Sequence, residues 1–496
     1  MVHILTNKKK QLSLLHRLFK TMCFLFVVFF SSNVAAQEMW GVANSNYAGQ
    51  MGIGLNPASI VGAPYKWELH ILSFDASVMN NYMYLKRNSR LIRKSFTGET
   101  VAEDKTPDRY TKTDKWAYSS MFLKYPAFIW NSKKFSLAFN TSTRVGLSAN
   151  KVPYHLAKFI KEGFDYDPQQ QLFYSGGGTS LVLINWQEFA FTGGMVLRNE
   201  SDWYVSAAAT LKYNYGFNSF FVNINDMVYN STADSLLIVQ NLDMNYGHAS
   251  ANDGETSPGS ILKKRGKGWG LNYGMEFLKN RNDNFYNPCS KTTDKPYDYK
   301  IGVSIIDLGY IKFNTDARTF SFDNASTDWF GIDTVKFDGI GKIDSLLGKQ
   351  FYGVFMGARD KREFTLYTPA ALSVQFDYPL GNNFYANLSA IQRIPLGQFS
   401  IKRANQIALT PRYETKRWEL SLPVSFYEQF KPRVGIGFRY GAFTLGSDMI
   451  SPLIGLTDSY GVDLYFGISI KNWGNCGGQK RSRKPNTEKC KVPNRS

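Results

Sequence analysis

The chain has 496 residues, enough for two or three ordinary domains or for one large β domain. Its 29 Tyr and 37 Phe accompany a mean hydropathy of only −0.30, which suits a barrel in lipid, apolar outside, polar inside and aromatic at both interfaces; a soluble β-sandwich is the other reading. The formal charge of +18 comes without a nucleic-acid motif, so no nucleic-acid partner is expected, and four cysteines are too few for a disulfide scaffold.

Residues 1–36 have the three parts of a secretory signal. Lys8, Lys9, Lys10, Arg17 and Lys20 are basic, Thr21 to Phe30 is apolar, and Val34-Ala35-Ala36 offers the small residues a signal peptidase reads. An apolar run of this length is too short for a spanning helix, which takes about 20 residues. Cys23 opens the run rather than following it, which argues against a lipoprotein. Cleavage after Ala36 removes five positive charges and leaves +13. The stretch from Lys471 carries a net +7, so about +6 remains on the body between. After export, the anions available to such a protein are lipid headgroups, lipopolysaccharide and cell-wall polymers.

From residue 67 onward the dominant signal is strict alternation. Val462, Leu464, Phe466, Ile468 and Ile470 share one face; Asp463, Tyr465, Gly467, Ser469 and Lys471 share the other. Trp269, Leu271, Tyr273, Met275 and Phe277 likewise oppose Gly270, Asn272, Gly274 and Glu276. In a barrel Glu276, Asp377, Arg439 and Asp463 would line the lumen, and the small residues beside them would leave room for a plug. The pattern predicts about fourteen strands, at 67–80, 115–124, 134–146, 183–198, 201–214, 267–279, 297–312, 366–379, 382–394, 403–414, 417–426, 432–440, 442–450 and 459–473. Links after the first, third, fifth and seventh strands are long. Four of the six even-numbered links are tight, the exceptions being 125–133 and 280–296. Long loops at one end and short turns at the other favour a membrane barrel over a sandwich. The expected fold is therefore an all-β transmembrane antiparallel barrel over 67–473, followed by a basic periplasmic tail over 474–496.

Within the long links, His155 to Phe164 reads as a short amphipathic helix with Leu156, Phe159, Ile160 and Phe164 on one face. Segments 222–250 and 313–350 contain further β-like runs, which either extend strands above the membrane or form a small surface subdomain.

Enzyme chemistry is not expected. Outside the signal the histidines are His70, His155 and His248, and no Gly-x-Ser-x-Gly elbow accompanies them. The run Ser175-Gly176-Gly177-Gly178-Thr179 lacks the Lys-Ser/Thr of a phosphate loop. Asn282-Asp283-Asn284 lacks calcium-loop spacing, and no metal or cofactor is expected. Of Cys289, Cys476 and Cys490, the last two could close a small loop in the periplasm, with free thiols as the alternative.

Between the signal and the first strand lies Gly52-Ile53-Gly54-Leu55-Asn56-Pro57-Ala58-Ser59. A Gly-rich approach to Asn-Pro-Ala at this position resembles the N-terminal hatch of the long-chain fatty-acid transporter (FadL-like) barrels. That resemblance implies a hatch over 37–66, built around Gly52, Gly54, Asn56, Pro57 and Ala58, inside a fourteen-stranded barrel. Pro57 fixes φ and lacks a donor, and the glycines permit a tight path; an ordinary N-terminal turn has the same composition. Trp67 to Leu85, with Asn80-Asn81-Tyr82, is similar to a Bacteroidota outer-membrane barrel family without assigned function. Many of its members carry an OmpA-like domain after the barrel, and this chain has only the basic tail there. The resemblance implies a cell outer-membrane barrel, in contact with membrane lipid, that binds or passes a hydrophobic small molecule. A structural barrel assisting a secretion or surface assembly, its tail touching a periplasmic or cell-wall partner, is the alternative.

Overall fold

The computed structural model describes residues 38–87, 107–132, 134–163, 166–200, 202–233, 236–251, 258–280, 297–332, 340–353, 361–428, 431–454 and 457–473. Among them, twenty strands belong to one sheet. The first ten are β1 (Trp67–Asn80), β2 (Lys115–Asn131), β3 (Phe135–Val152), β4 (Phe173–Gly176), β5 (Thr179–Asn199), β6 (Trp203–Ala233), β7 (Leu236–Ala249), β8 (Gly266–Lys279), β9 (Tyr299–Phe313) and β10 (Ala317–Phe330). The others are β11 (Phe364–Tyr367), β12 (Ala371–Gly381), β13 (Phe384–Arg393), β14 (Gln406–Glu414), β15 (Trp418–Ser421), β16 (Val424–Tyr427), β17 (Arg433–Val434), β18 (Ile436–Tyr440), β19 (Phe443–Ser447) and β20 (Gly461–Asn472).

Fourteen staves close the barrel. Three are interrupted: β11 with β12, β15 with β16, and β17 with β18 each make one stave. Each stave pairs antiparallel with the next, and β1 pairs with β20 over Trp67↔Asn472 to Met79↔Gly461. Closure leaves no sheet edge in lipid, where an unpaired backbone group costs several kcal/mol. The alternation read from the sequence sets the two faces. On β20, Asp463, Tyr465, Gly467 and Ser469 are buried, while Ile470 is exposed and Val462, Leu464, Phe466 and Ile468 are half-buried. Trp130, Phe135, Trp418, Tyr440 and Phe443 are exposed near the short turns; Phe189, Trp269 and Tyr310 are exposed toward the long links. Those are the two aromatic girdles of a membrane barrel.

Two expectations about extent need correction. Residues 125–133 are not a link as a whole: β2 runs on to Asn131, and β3 begins at Phe135. Pro126 has no N–H for the ladder, but a register shift between Tyr125 and Phe128 accommodates it. Likewise β6 continues to Ala233, well beyond the predicted 214. Its far half pairs with β4 on one side and β7 on the other, and β10 adds to β7. This raised sheet, built from β4, the far half of β6, β7 and β10, stands beyond the barrel on the long-link side. Two helices pack on it: α1 (Tyr154–Glu162) and α2 (Ile340–Tyr352). Phe159, Leu237, Val239, Tyr246, Phe322 and Trp329 belong to their shared core. On α1, Phe159 is buried but Ile160 is 73% exposed, so the predicted apolar face is only partly used. Among the described residues, no helix is long and apolar enough to cross a membrane.

Candidate functional site: the lumen and its N-terminal segment

Residues 38–66 lie inside the ring of strands and contain two short 3-10 turns, Gly49–Met51 and Pro57–Ile60. The segment forms no strand and is held chiefly by side chains from around the wall. Trp40 is fully buried; its backbone N–H donates to Asp448 at 2.8 Å, and its indole N–H to Tyr427 at 2.9 Å and Gln406 at 3.1 Å. Ser45 donates to Glu419 at 2.8 Å and Glu414 at 3.1 Å. Lys124 donates to the Gln50 carbonyl at 2.6 Å, and Ser304 to the Leu55 carbonyl at 2.5 Å. Gly49 has φ of +63°, and a Cβ there would run into the Glu68 carboxylate.

The Asn-Pro-Ala stretch has a fitted seat. Asn56 Oδ1 caps the turn by accepting from the Ala58 N–H at 2.9 Å, with Pro57 at the first position, where its missing donor costs nothing. Asn56 Nδ2 donates to the Met275 carbonyl at 3.1 Å and to Gln375 at 3.3 Å. Gly274 on β8 and Gly302 on β9 make the space. A Cβ on Gly274 would collide with Asn56 Oδ1 and sit 2.9 Å from Pro57, and one on Gly302 would sit 2.8 Å from Asn56 Nδ2. Ala58 is fully buried, and Gly52 is closely packed against Ala43 and Ser59. Gly54 is different: it is exposed, with open space on its Cβ side, and lines a luminal cavity of about 150 Å³.

The lining of that cavity is mixed. Met39, Met51, Ile53, Leu55, Phe122 and Trp186 are apolar. Among them stands a lattice of three cations and three acids, with Arg144 lying over the Phe122 and Trp186 rings. Asp307 is its hub, accepting from Lys212 at 2.5 Å, Arg403 at 2.7 Å and Arg144 at 3.0 and 3.2 Å. Glu188 meets Arg144 at 2.9 Å and Lys212 at 3.1 Å, and Glu38 of the N-terminal segment meets Arg403 at 3.4 Å. A second lattice lies toward the short turns. There Arg412 bridges Asp377 at 2.6 Å and Glu414 at 2.9 Å, and Arg439 binds Glu419 at 3.0 Å. All these side chains are largely buried, and each is paired, which is the condition on which charges leave water.

Glu276, Asp377, Arg439 and Asp463, read from the sequence as luminal, are all buried and inward. The three histidines are scattered. His70 is wholly buried between Ser469 at 2.8 Å and Ser73 at 3.0 Å. His155 stacks on Tyr174, and His248 lies 2.9 Å from Asp344, joining the raised sheet to α2. The Ser175–Thr179 run joins β4 to β5, with Gly178 at φ of +73°. Cys289, Cys476, Cys490, Asn282-Asp283-Asn284, the signal and the tail lie outside the described residues. Among those described, no cluster of three His, Cys, Asp or Glu could hold a metal ion. The Asp307 lattice was not singled out from the sequence. Arg144, Glu188 and Lys212 sit at inward positions of predicted strands, but Glu38 lies ahead of the first strand, and Asp307, in step with the outward Val303 and Ile305, is turned inward by a bulge with φ of +54°.

A model of a family of unknown function (DUF5723) matches residues 57–448. This chain belongs to that family. No curated protein matches the sequence. Among solved structures, the fold is similar to the TodX deltaS2S3 mutant monoaromatic hydrocarbon channel, at 10% identity over 86% of this chain and 95% of that one, with a TM-score of 0.37. It is similar also to the Pseudomonas putida toluene transporter TodX, at 9% identity over 86% and 95%, TM-score 0.31. A Pseudomonas aeruginosa FadL homologue is 9% identical over 88% and 98%, TM-score 0.22. These likenesses concern architecture. A closed antiparallel ring with an outward apolar band is the architecture of transmembrane β-barrels.

Proposed function

We propose that this protein is an outer-membrane barrel of Bacteroidota, exported with cleavage after Ala36, that binds or passes a small, predominantly hydrophobic molecule through a lumen gated by the N-terminal segment. The observation that carries the reading is the cavity beside Gly54. Its lining mixes apolar side chains with the paired charges of the Asp307 lattice, which suits a mainly apolar solute with a polar end. The segment around Gly52 to Ala58 is the movable part. Outside its own turns it is fastened by individual side-chain bonds, each worth about 0.5–1.5 kcal/mol net, and by the apolar packing of Ile53, Leu55, Ala58 and Ile60, rather than by a strand ladder. Asn56 and Pro57 set its resting position.

The test is uptake of a hydrophobic fluorescent probe into vesicles carrying the barrel. Replacing Asn56→Ala and Pro57→Gly together removes a cap worth about 1 kcal/mol and raises the open population several-fold, so uptake should rise by a similar factor. Uptake unchanged from wild type, in a variant that keeps heat-modifiable gel migration, sinks the hatch. A second reading, an assembly barrel that docks a partner, draws on the raised sheet with its own apolar core beyond the membrane. Native mass spectrometry of gently purified protein separates the two: a bound small molecule favours transport, and a stoichiometric protein partner favours assembly.

A further inference from the structure

Outside the lumen, one stretch of wall carries charge at the depth of the lipid headgroups. The outward residues of β8 run Lys267, Trp269, Leu271, Tyr273, Met275, Phe277 and Lys279, so a lysine stands at each end of an apolar band. The spacing matches the 9–11 residues with which a tilted strand crosses a bilayer. At the short-turn end, Lys279 meets Asp202 at 3.4 Å and lies over Trp203. At the long-link end the balance is different. Lys267 faces Lys312 directly across the β8–β9 ladder, both exposed and both outward. On its other side Lys267 faces Tyr215 of β6, and over that ring, at 4.0 Å, lies Lys264. Tyr213, Trp269 and Tyr310 form the aromatic belt just below.

Like charges directly opposite on one sheet face repel, and beside hydrocarbon they are screened less than in water. Glu363 answers Lys312 at 2.9 Å, and Asp316 is already shared by Lys263 and Arg265. Among the described residues, Lys264 and Lys267 have no carboxylate within ion-pair distance. Lys264 lies over Tyr215 and within 5.8 Å of Tyr213, and a lysine at this depth carries its ammonium to the interface. An anion between them would relieve the repulsion, and at this depth the anion supplied in bulk is a lipid phosphate.

We propose that Lys264, Lys267 and Lys312 form a binding site for the phosphate of an outer-leaflet lipid, the occupant being lipid A. The site is independent of the channel and would hold for an assembly barrel as well. Its effect would be to fix a lipid against β8–β9, beneath the raised sheet.

The test uses the full protein in detergent, titrated with lipid A and read by native mass spectrometry. The wild type should retain lipid A. The triple variant Lys264→Gln, Lys267→Gln, Lys312→Gln should bind about a hundredfold more weakly, each lysine near an anionic surface contributing about fivefold. All three side chains are exposed, so the variant should keep its heat-modifiable migration. A charge-matched control, Lys66→Gln, Lys112→Gln, Lys134→Gln, should bind like wild type. Equal loss in the control, equal retention in the triple variant, or equal binding of dephosphorylated lipid A overturns the site. Displacement of the lipid by excess inorganic phosphate alone overturns its assignment to a lipid.

Discussion

Replacing Asp307 with Asn removes the acid on which the luminal lattice converges. Asp307 receives donors from Arg144, Lys212 and Arg403, all within 3.2 Å, and its side chain is almost wholly buried. Three cations then face two acids, Glu188 and Glu38, with every one of these side chains largely buried. Uncompensated burial of one charge costs about 3–5 kcal/mol. Against a total stability of about 5–15 kcal/mol, that is a large fraction. Urea unfolding in lipid vesicles, followed by tryptophan fluorescence, would read it as a lower midpoint at unchanged slope. Adding Arg403→Leu to Asp307→Asn withdraws the surplus cation, so the double variant should recover at least about 1 kcal/mol relative to additivity. A midpoint for Asp307→Asn equal to wild type, or strict additivity of the two substitutions, would falsify the view that these charges act as one lattice.

Gly274→Val should unseat the N-terminal segment without opening the barrel, because its side chain would occupy the space of Asn56 and Pro57. A cysteine at Gly54 would then react faster with a membrane-impermeant maleimide; an unchanged rate means that the segment is not seated there. A separate prediction concerns acid. Burial alone would raise the Asp108 carboxyl, but hydrogen bonds from Lys158, Lys161 and Tyr154 outweigh it and hold the group at about 2. A depressed carboxyl stabilises above its ordinary value and ceases to do so as pH falls through the depressed one, so the grip of α1 on Asp108 should be intact above about pH 4 and lost toward about pH 2. A dye on Ile160→Cys, an exposed position, should report that transition, and Asp108→Asn should abolish it; a flat signal across the range counts against the pairing.

Several features were legible without coordinates. Fourteen staves, their order and the end that bears long links follow from alternation and link length, because side-chain direction in a strand is set by its two nearest neighbours. The inward placement of Glu276, Asp377, Arg439 and Asp463 was readable for the same reason, as was the use of small inward residues such as Gly274 to leave room. The bounds of β2 and β6 were less legible. Pro126 looks like a break until a bulge absorbs it, and the far half of β6 keeps a strand pattern after leaving lipid.

The amino-acid sequence by itself determined the lipid-facing band and the ring that carries it, since a period of two and the need to satisfy every backbone group are local demands. Only the closed tertiary structure decided which charges share the lumen. Arg144, Lys212 and Asp307 stand on β3, β6 and β9, with Arg403 just ahead of β14, and they meet because stagger and tilt bring distant staves to one height. Partnership across a ring is a non-local quantity, and no pattern along the chain encodes it.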